Sequence, residues 1–168
     1  MIFKFLSKNF YISFSIVALI YFLDRLSKIY VIQLDKNNLG SDIFNSTYLN
    51  IELIWNKGIA FGLLSFNESY LYNIISLIIA IIIIVLIIMS LKNQGFKRYS
   101  LLMIVGGALG NLHDRIFFNA VPDFIDFHIG NFHWFIFNVS DIFITLGVVS
   151  MIIVELIDKD KYNYDKNI

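Results

Sequence analysis

The chain has 168 residues, 58% hydrophobic and 17% aromatic, with only 15% charged and a formal net charge of zero. A soluble domain carries about a quarter charged residues, so this composition implies a membrane protein, and the length implies one domain. No basic cluster extends beyond short loops, so nucleic acid is not an expected partner; the absence of cysteine excludes disulfides, Cys-ligated metals and a thiol nucleophile.

Four segments reach the roughly 20 apolar residues that a bilayer span requires. The predicted spans are residues 10–32, 71–91, 99–118 and 137–157, with outer segments 33–70 and 119–136. The expected fold is therefore all-α and membrane-embedded, with four transmembrane helices and a small β-containing extracytoplasmic segment.

The first span follows Lys4 and Lys8, and its apolar core leads into DRLSK rather than a small-x-small cleavage site, so a retained helix is expected. Asp24 and Lys28 are four apart, share a helix face and can pair. Alternatively they form an interfacial ion pair, with Lys28 snorkelling to the headgroups. In the next segment, YLNIELIWNKGIAFGLL, the alternation of Ile51, Leu53 and Trp55 predicts a short β element.

The second span, LYNIISLIIAIIIIVLIIMSL, has no charge. The third carries GGALGNLHDR. Gly106 and Gly110 form a G-x-x-x-G pair that lets a neighbouring backbone approach. Asn111, Asp114 and Arg115 make one polar patch, which fits either helix–helix adhesion or a functional site. His113 points elsewhere and is read as interfacial.

Residues 119–136 read NAVPDFIDFHIGNFHWFI, aromatic-rich as at a headgroup boundary. Pro122 favours an extended or turning entry to Asp123. Asp123 and Asp126 compete for any special role, and spacing does not choose between them. His128 and His133 are five apart, off any single helix face, and no H-E-x-x-H or Cys-based spacing occurs. No metal site and no cofactor are expected; the histidines are placed with Phe132 and Trp134 at the headgroups.

The fourth span opens on FNVSD. A carboxylate inside a span costs about 2.5–3.5 kcal/mol on insertion scales, so Asp141 requires an explanation. Asn138 and Asp141 share a face, and Asp141 lies only about 4.5 Å deeper along the axis, within reach of water. Ser140 has no histidine or lysine at helical spacing to activate it. Glu155, near the inner end, is read as solvated.

Orientation follows from the basic residues. With the N-terminus inside, Lys4, Lys8, Lys92, Lys97, Arg98, Lys159, Lys161 and Lys166 fall on the cytoplasmic side, against Lys36 and Lys57 outside. Both termini are expected in the cytoplasm, and the polar residues of interest near the outer face. Two neighbouring carboxylates there would share a proton, one activating water while the other supports the carbonyl and protonates the leaving amine. The competing reading is a small proton-coupled transporter or channel subunit using the intramembrane charges. Against it, no inverted repeat is visible and the charges gather toward one face. A purely structural subunit would leave Asp141 unexplained.

DRLSK, NKGIAFG, GGALGNLHDR, VPDFIDF and FNVSD, in that order and spacing, resemble the lipoprotein signal peptidases, the type II signal peptidases of bacteria. The resemblance spans all four predicted spans and both outer segments. It implies a catalytic pair of Asp123 and Asp141, with Asp126 a bystander. Asp24, Lys28, Asn56, Gly58, Asn111, Asp114, Arg115 and Asn138 would support the site or substrate. The implied partners are membrane lipid and a diacylglyceryl-modified prolipoprotein, cut just before its lipidated cysteine; the implied place is the bacterial inner membrane, as a monomer. Two positions depart from the family pattern: Ser140 stands where alanine is usual, and Pro122 where valine or another apolar residue is common. Ser140 is expected to be able to donate a hydrogen bond to Asp141.

Overall fold

The computed structural model describes residues 8–37, 43–58 and 69–166. Residues 59–62 of the NKGIAFG motif, and with them much of the proposed cover in residues 33–70, lie outside the described residues. Four long helices occupy the four apolar segments: α1 (Lys8–Asn37), α2 (Ser69–Lys92), α3 (Gly95–Phe118) and α4 (Val139–Lys166). The Ile-rich run of α2 has β-branched side chains that favour strands, yet it is helical. In hydrocarbon a lone segment must satisfy its own backbone, and a helix does so. Of these helices, α2, α3 and residues 139–158 of α4 are long and apolar enough to cross a membrane. Helix α4 runs past the predicted end of its span because VELIDKDKYNYDK contains no glycine or proline to stop it.

Helix α3 is the central one. Its apolar window is 56% buried, against 11% for α2 and 11% for α4, and α1, α2 and α4 all pack on it. Close approach explains its glycines. A Cβ on Gly107 would sit 2.5 Å from the Ser140 carbonyl oxygen of α4, and one on Gly106 would sit 2.9 Å from the Ile20 side chain of α1. The outward faces stay apolar and exposed, as with Ile81, Ile82, Ile84 and Val85 of α2. Apolar faces this extensive are rare on soluble monomers.

The two segments predicted to lie outside the bilayer meet in one four-stranded antiparallel sheet of order β1-β2-β3-β4. Its strands are β1 (Phe44–Asn45), β2 (Leu49–Asn56), β3 (Val121–Ile129) and β4 (Phe132–Phe137). The sequence predicts a short β element only around β2; the aromatic-rich stretch 119–136 is in fact a hairpin. Its tight turn is Gly130–Asn131, with Gly130 at φ 58, the left-handed backbone that two-residue hairpin turns need. Pro122 is tolerated in β3 because β4 begins to pair only at Ile125, so Pro122 has a single strand neighbour.

The alternation of Ile51, Leu53 and Trp55 does not persist along β2. Ile51 pairs with Ile125 but Ile54 with Asp123, a one-residue bulge. An unbroken ladder would put Leu53 opposite Asp123 and turn Trp55 to that face; the bulge reverses the alternation and turns Asn56 there instead. Trp55 is left exposed.

Candidate active site

The start of α4 explains how a carboxylate enters an apolar helix. Asn138 precedes the first helical residue, and Asp141 is the third residue in. The Asp141 backbone N–H donates to Asn138 Oδ1 (3.2 Å), and the Asn138 backbone N–H donates to Asp141 Oδ2 (3.2 Å). This is a reciprocal capping box built from Asn and Asp in place of Ser and Glu. It satisfies two orphan N–H groups, and it places the carboxylate at the positive end of the helix dipole.

The same asparagine reaches the hairpin. Its Nδ2 donates to Asp123 Oδ1 at 2.6 Å, so one amide joins the two aspartates. The second oxygen of Asp123 accepts from Asn56 Nδ2 at 2.8 Å. Asn56 is held in that sense because its Oδ1 accepts the Gly58 N–H at 2.8 Å. Arg115 extends from α3 to the Gly58 carbonyl at 3.4 Å, and also bonds the Asn111 carbonyl at 3.1 Å. Asp141 Oδ1 accepts from Asn111 Nδ2 at 2.8 Å.

Behind Asn111 lies a buried charge cluster. Lys28 Nζ donates to Asn111 Oδ1 (3.0 Å), Asp114 Oδ2 (2.7 Å) and Asp24 Oδ2 (2.9 Å). Arg25 holds Asp114 through both terminal nitrogens, at 2.5 and 2.8 Å, and Asp24 at 2.8 Å. Asp24 also accepts the Ser140 backbone N–H at 3.0 Å. Two acids and two bases thus balance, with Asp24, Lys28 and Asp114 no more than 1% exposed. Lys28 does not snorkel to the headgroups; it is fully enclosed by its partners. Its bond to Asn111 fixes the amide so that the NH₂ faces Asp141.

A cavity of about 450 Å³ opens between these groups. Asn56, Asn111, Arg115, Asp123, Asn138 and Asp141 line one part of it, and Ile79, Ala108, Val121, Ile144, Thr145, Val148 and Val149 the rest. Polar chemistry is thereby joined to an apolar channel between α2, α3 and α4. Burial, then the charge of Asp141, pushes the Asp123 carboxyl up to about 6, although the amides of Asn56 and Asn138 pull it down. Asp123 therefore holds a proton in the folded chain at pH values where the unfolded chain has lost it. Its contribution to stability falls as pH rises from about 4 through about 6. Asp123→Asn is expected to remove that dependence and to stabilise the chain at pH 7 by up to about 3 kcal/mol, measured by denaturation in detergent at pH 5 and pH 7.

Every residue proposed for the site from sequence belongs to this connected set: Asp24, Lys28, Asn56, Gly58, Asn111, Asp114, Arg115, Asp123, Asn138 and Asp141. Arg25 was missed. It stands one residue from Asp24, off the face shared with Lys28, and its long guanidinium reaches sideways to α3. A third charge beside Asp24 in DRLSK was the available signal. Asp126 does not join the set; three residues from Asp123 along a strand, it faces the other side of the sheet. Ser140 does not bond Asp141 as expected. Its hydroxyl has no partner among the described residues and packs against Gly110. His113 is not simply interfacial, since its Nδ1 is 2.8 Å from the Tyr21 hydroxyl between α1 and α3. Glu155 is exposed, as expected, and pairs with Lys97 at 2.6 Å.

The family model described as signal peptidase (SPase) II matches residues 16–157. The chain belongs to the signal peptidase II family. It is 49% identical over 160 residues to the lipoprotein signal peptidase of Pelagibacter ubique (strain HTCC1062), covering 95% of this chain and 96% of that one. It is 40% identical over 144 residues to the lipoprotein signal peptidase of Anaplasma phagocytophilum (strain HZ), covering 84% and 89%. Its fold matches a bacterial membrane enzyme solved by the in meso method at 2.3 Å resolution, with a TM-score of 0.72 and 30% identity over 89% of this chain and 90% of that one. Like other signal peptidase II chains, this one is a membrane peptidase, and every charge and amide just described has to be accounted for within that chemistry.

Proposed function

We propose that the chain is an aspartic endopeptidase that removes the signal peptide from diacylglyceryl-modified bacterial prolipoproteins, cutting just before the lipidated cysteine. The observation that carries this reading is the single amide of Asn138 tying Asp123 to Asp141 at the polar part of an apolar-lined cavity. The printed name of the relatives, lipoprotein signal peptidase, supports the substrate class.

In the reaction, one carboxyl of the pair is ionised and the other protonated; the pair titrates as a unit, so neither role is fixed to a residue. The ionised member takes a proton from water as the water oxygen bonds to the scissile carbonyl carbon. The protonated member donates a hydrogen bond to the carbonyl oxygen, which bears the developing charge. Collapse of the tetrahedral adduct breaks the C–N bond, and a carboxyl proton passes to the leaving amine of the lipidated cysteine. Asn111, Asn138 and Asn56 hold the carboxyls, while the apolar lining accepts part of the signal peptide's helix.

The chain acts as one integral-membrane domain and as a monomer in the inner membrane. Helix α1 supplies a fourth span, both termini are cytoplasmic, and the sheet and aspartates lie at the outer face. The basic residues support this orientation, as does the gathering of Asp24, Lys28, Asp114 and Asp141 at the sheet end of the helices. A proton relay would instead need polar groups through the full depth, and α2 has none between Asn73 and Ser90 except Ser76.

Two outcomes test the pair. Asp126→Asn should cleave at least about a hundredfold faster than Asp123→Asn, measured with purified enzyme and lipid-modified precursor; an inactive Asp126→Asn beside an active Asp123→Asn would place the catalytic partner at Asp126. The free-enzyme profile of kcat/KM should decline as pH rises through about 6, the value for Asp123, because the pair then loses its shared proton. Cleavage should continue in the presence of a chelator, since no metal takes part in these steps.

A further inference from the structure

A second cluster of functional groups lies on the opposite face of the sheet from Asp123. Asp126 and His128 are two residues apart on β3 and so share a face. An unbroken ladder from the Asp126–Ile136 pair would set Trp134 opposite His128. A bulge in β4 instead pairs His128 with His133 and stacks the two imidazoles with centroids 5.0 Å apart. Five residues apart lies off any single helix face, but across this hairpin it is face to face.

The ligand atoms converge. One donor atom from each of Asp126, His128 and His133 lies within 4.8 Å of the other two. Asp126 Oδ2 is 2.8 Å from His133 Nδ1 and 3.9 Å from His128 Nδ1. Two ligands each about 2.0–2.1 Å from a tetrahedral zinc ion stand about 3.3 Å apart, between those two distances. A plain histidine–carboxylate hydrogen bond accounts for His133 alone. It leaves Asp126 Oδ1 and His128 Nδ1 buried with no hydrogen-bond partner among the described residues, although Asp126 is only 2% exposed. Buried polar atoms left unpaired are costly, and these two belong to the same three-residue cluster. The Asn50 amide, opposite on β2, lies 3.4 Å from Asp126 Oδ2 and can orient the carboxylate from behind.

We propose that Asp126, His128 and His133 bind a divalent transition-metal cation, with Zn²⁺ the best fit to two imidazoles and one carboxylate. A fourth position is left for water. The metal is not at the peptidase centre. It braces β3, which carries Asp123, to β4, which leads into α4 and Asp141. The site stands on its own geometry and does not depend on the peptidase reading.

The test uses untagged full-length protein in detergent, stripped with chelator and dialysed, then titrated with Co²⁺ and with Zn²⁺ in competition. Wild type is expected to take up one equivalent of Co²⁺ with the visible absorption of a four-coordinate site, displaced by Zn²⁺. His128→Gln and His133→Gln should each weaken binding by about tenfold or more, while His113→Gln, the remaining histidine, should bind as wild type. Zn²⁺ should raise the unfolding temperature of wild type but not of His133→Gln. His133 has a side chain 53% exposed, so its replacement keeps the fold and decides the matter even if His128→Gln does not fold. No uptake by wild type, or uptake unchanged in His133→Gln, would overturn the site and leave an ordinary histidine–carboxylate contact.

Discussion

Asp123→Asn and Asp141→Asn should each leave a folded, membrane-inserted protein that fails to cleave lipid-modified precursor, with a loss of at least about 10²–10⁴-fold. The two substitutions act on different elements, one on β3 and one on the first turn of α4, yet they remove halves of one acid–base unit. They should therefore be non-additive: the double variant is expected to be little slower than either single one. Neither should harm folding. An amide at position 123 keeps an oxygen to accept from Asn56 or Asn138, and burial no longer acts on a charge. An amide at position 141 still has an oxygen to accept the Asn138 N–H. Appreciable turnover by either variant would remove that residue from the pair.

The second large effect lies behind the aspartates. Lys28→Met would leave Asp24 and Asp114 with Arg25 as their remaining basic partner, a net buried charge. Breaking such a cluster by removing one partner costs about 3–5 kcal/mol, a large part of the roughly 5–15 kcal/mol that holds a domain together. Lys28 also fixes the Asn111 amide through its 3.0 Å bond, so turnover of the folded fraction should fall as well. Arg25→Met removes a charge from the same cluster without touching Asn111. It should destabilise to a similar degree while reducing kcat less. Denaturation in mixed micelles, with kcat measured on the folded fraction, separates the two; equal kcat losses would show that Lys28 does not act through Asn111.

Much of this site could be read from the chain because spacing on a helix is local. Asp141 stood out by its cost in an apolar run, and Asn138 by its three-residue offset. Asp24 with Lys28, and Asn111 with Arg115, followed in the same way. The roles of these pairs could not be read, since Lys28 as a bridge between Asp114 and Asn111 depends on how α1 meets α3. Gly106 and Gly110 signalled close packing without saying which helix approached. The β register was the least legible part. Two bulges, one in β2 and one in β4, decide that Asn56 rather than Trp55 faces Asp123, and that His133 rather than Trp134 faces His128. Simple alternation predicts the opposite in both cases. The choice between Asp123 and Asp126 likewise turns on which sheet face each occupies, and only the family resemblance, not spacing, pointed to Asp123.

The most direct measurement is to incubate purified wild-type protein with a diacylglyceryl-modified prolipoprotein and identify both products by mass spectrometry. The expected result is a released signal peptide and a mature chain whose new N-terminus is the lipidated cysteine. An intact precursor, or cleavage at any other bond, would contradict the account.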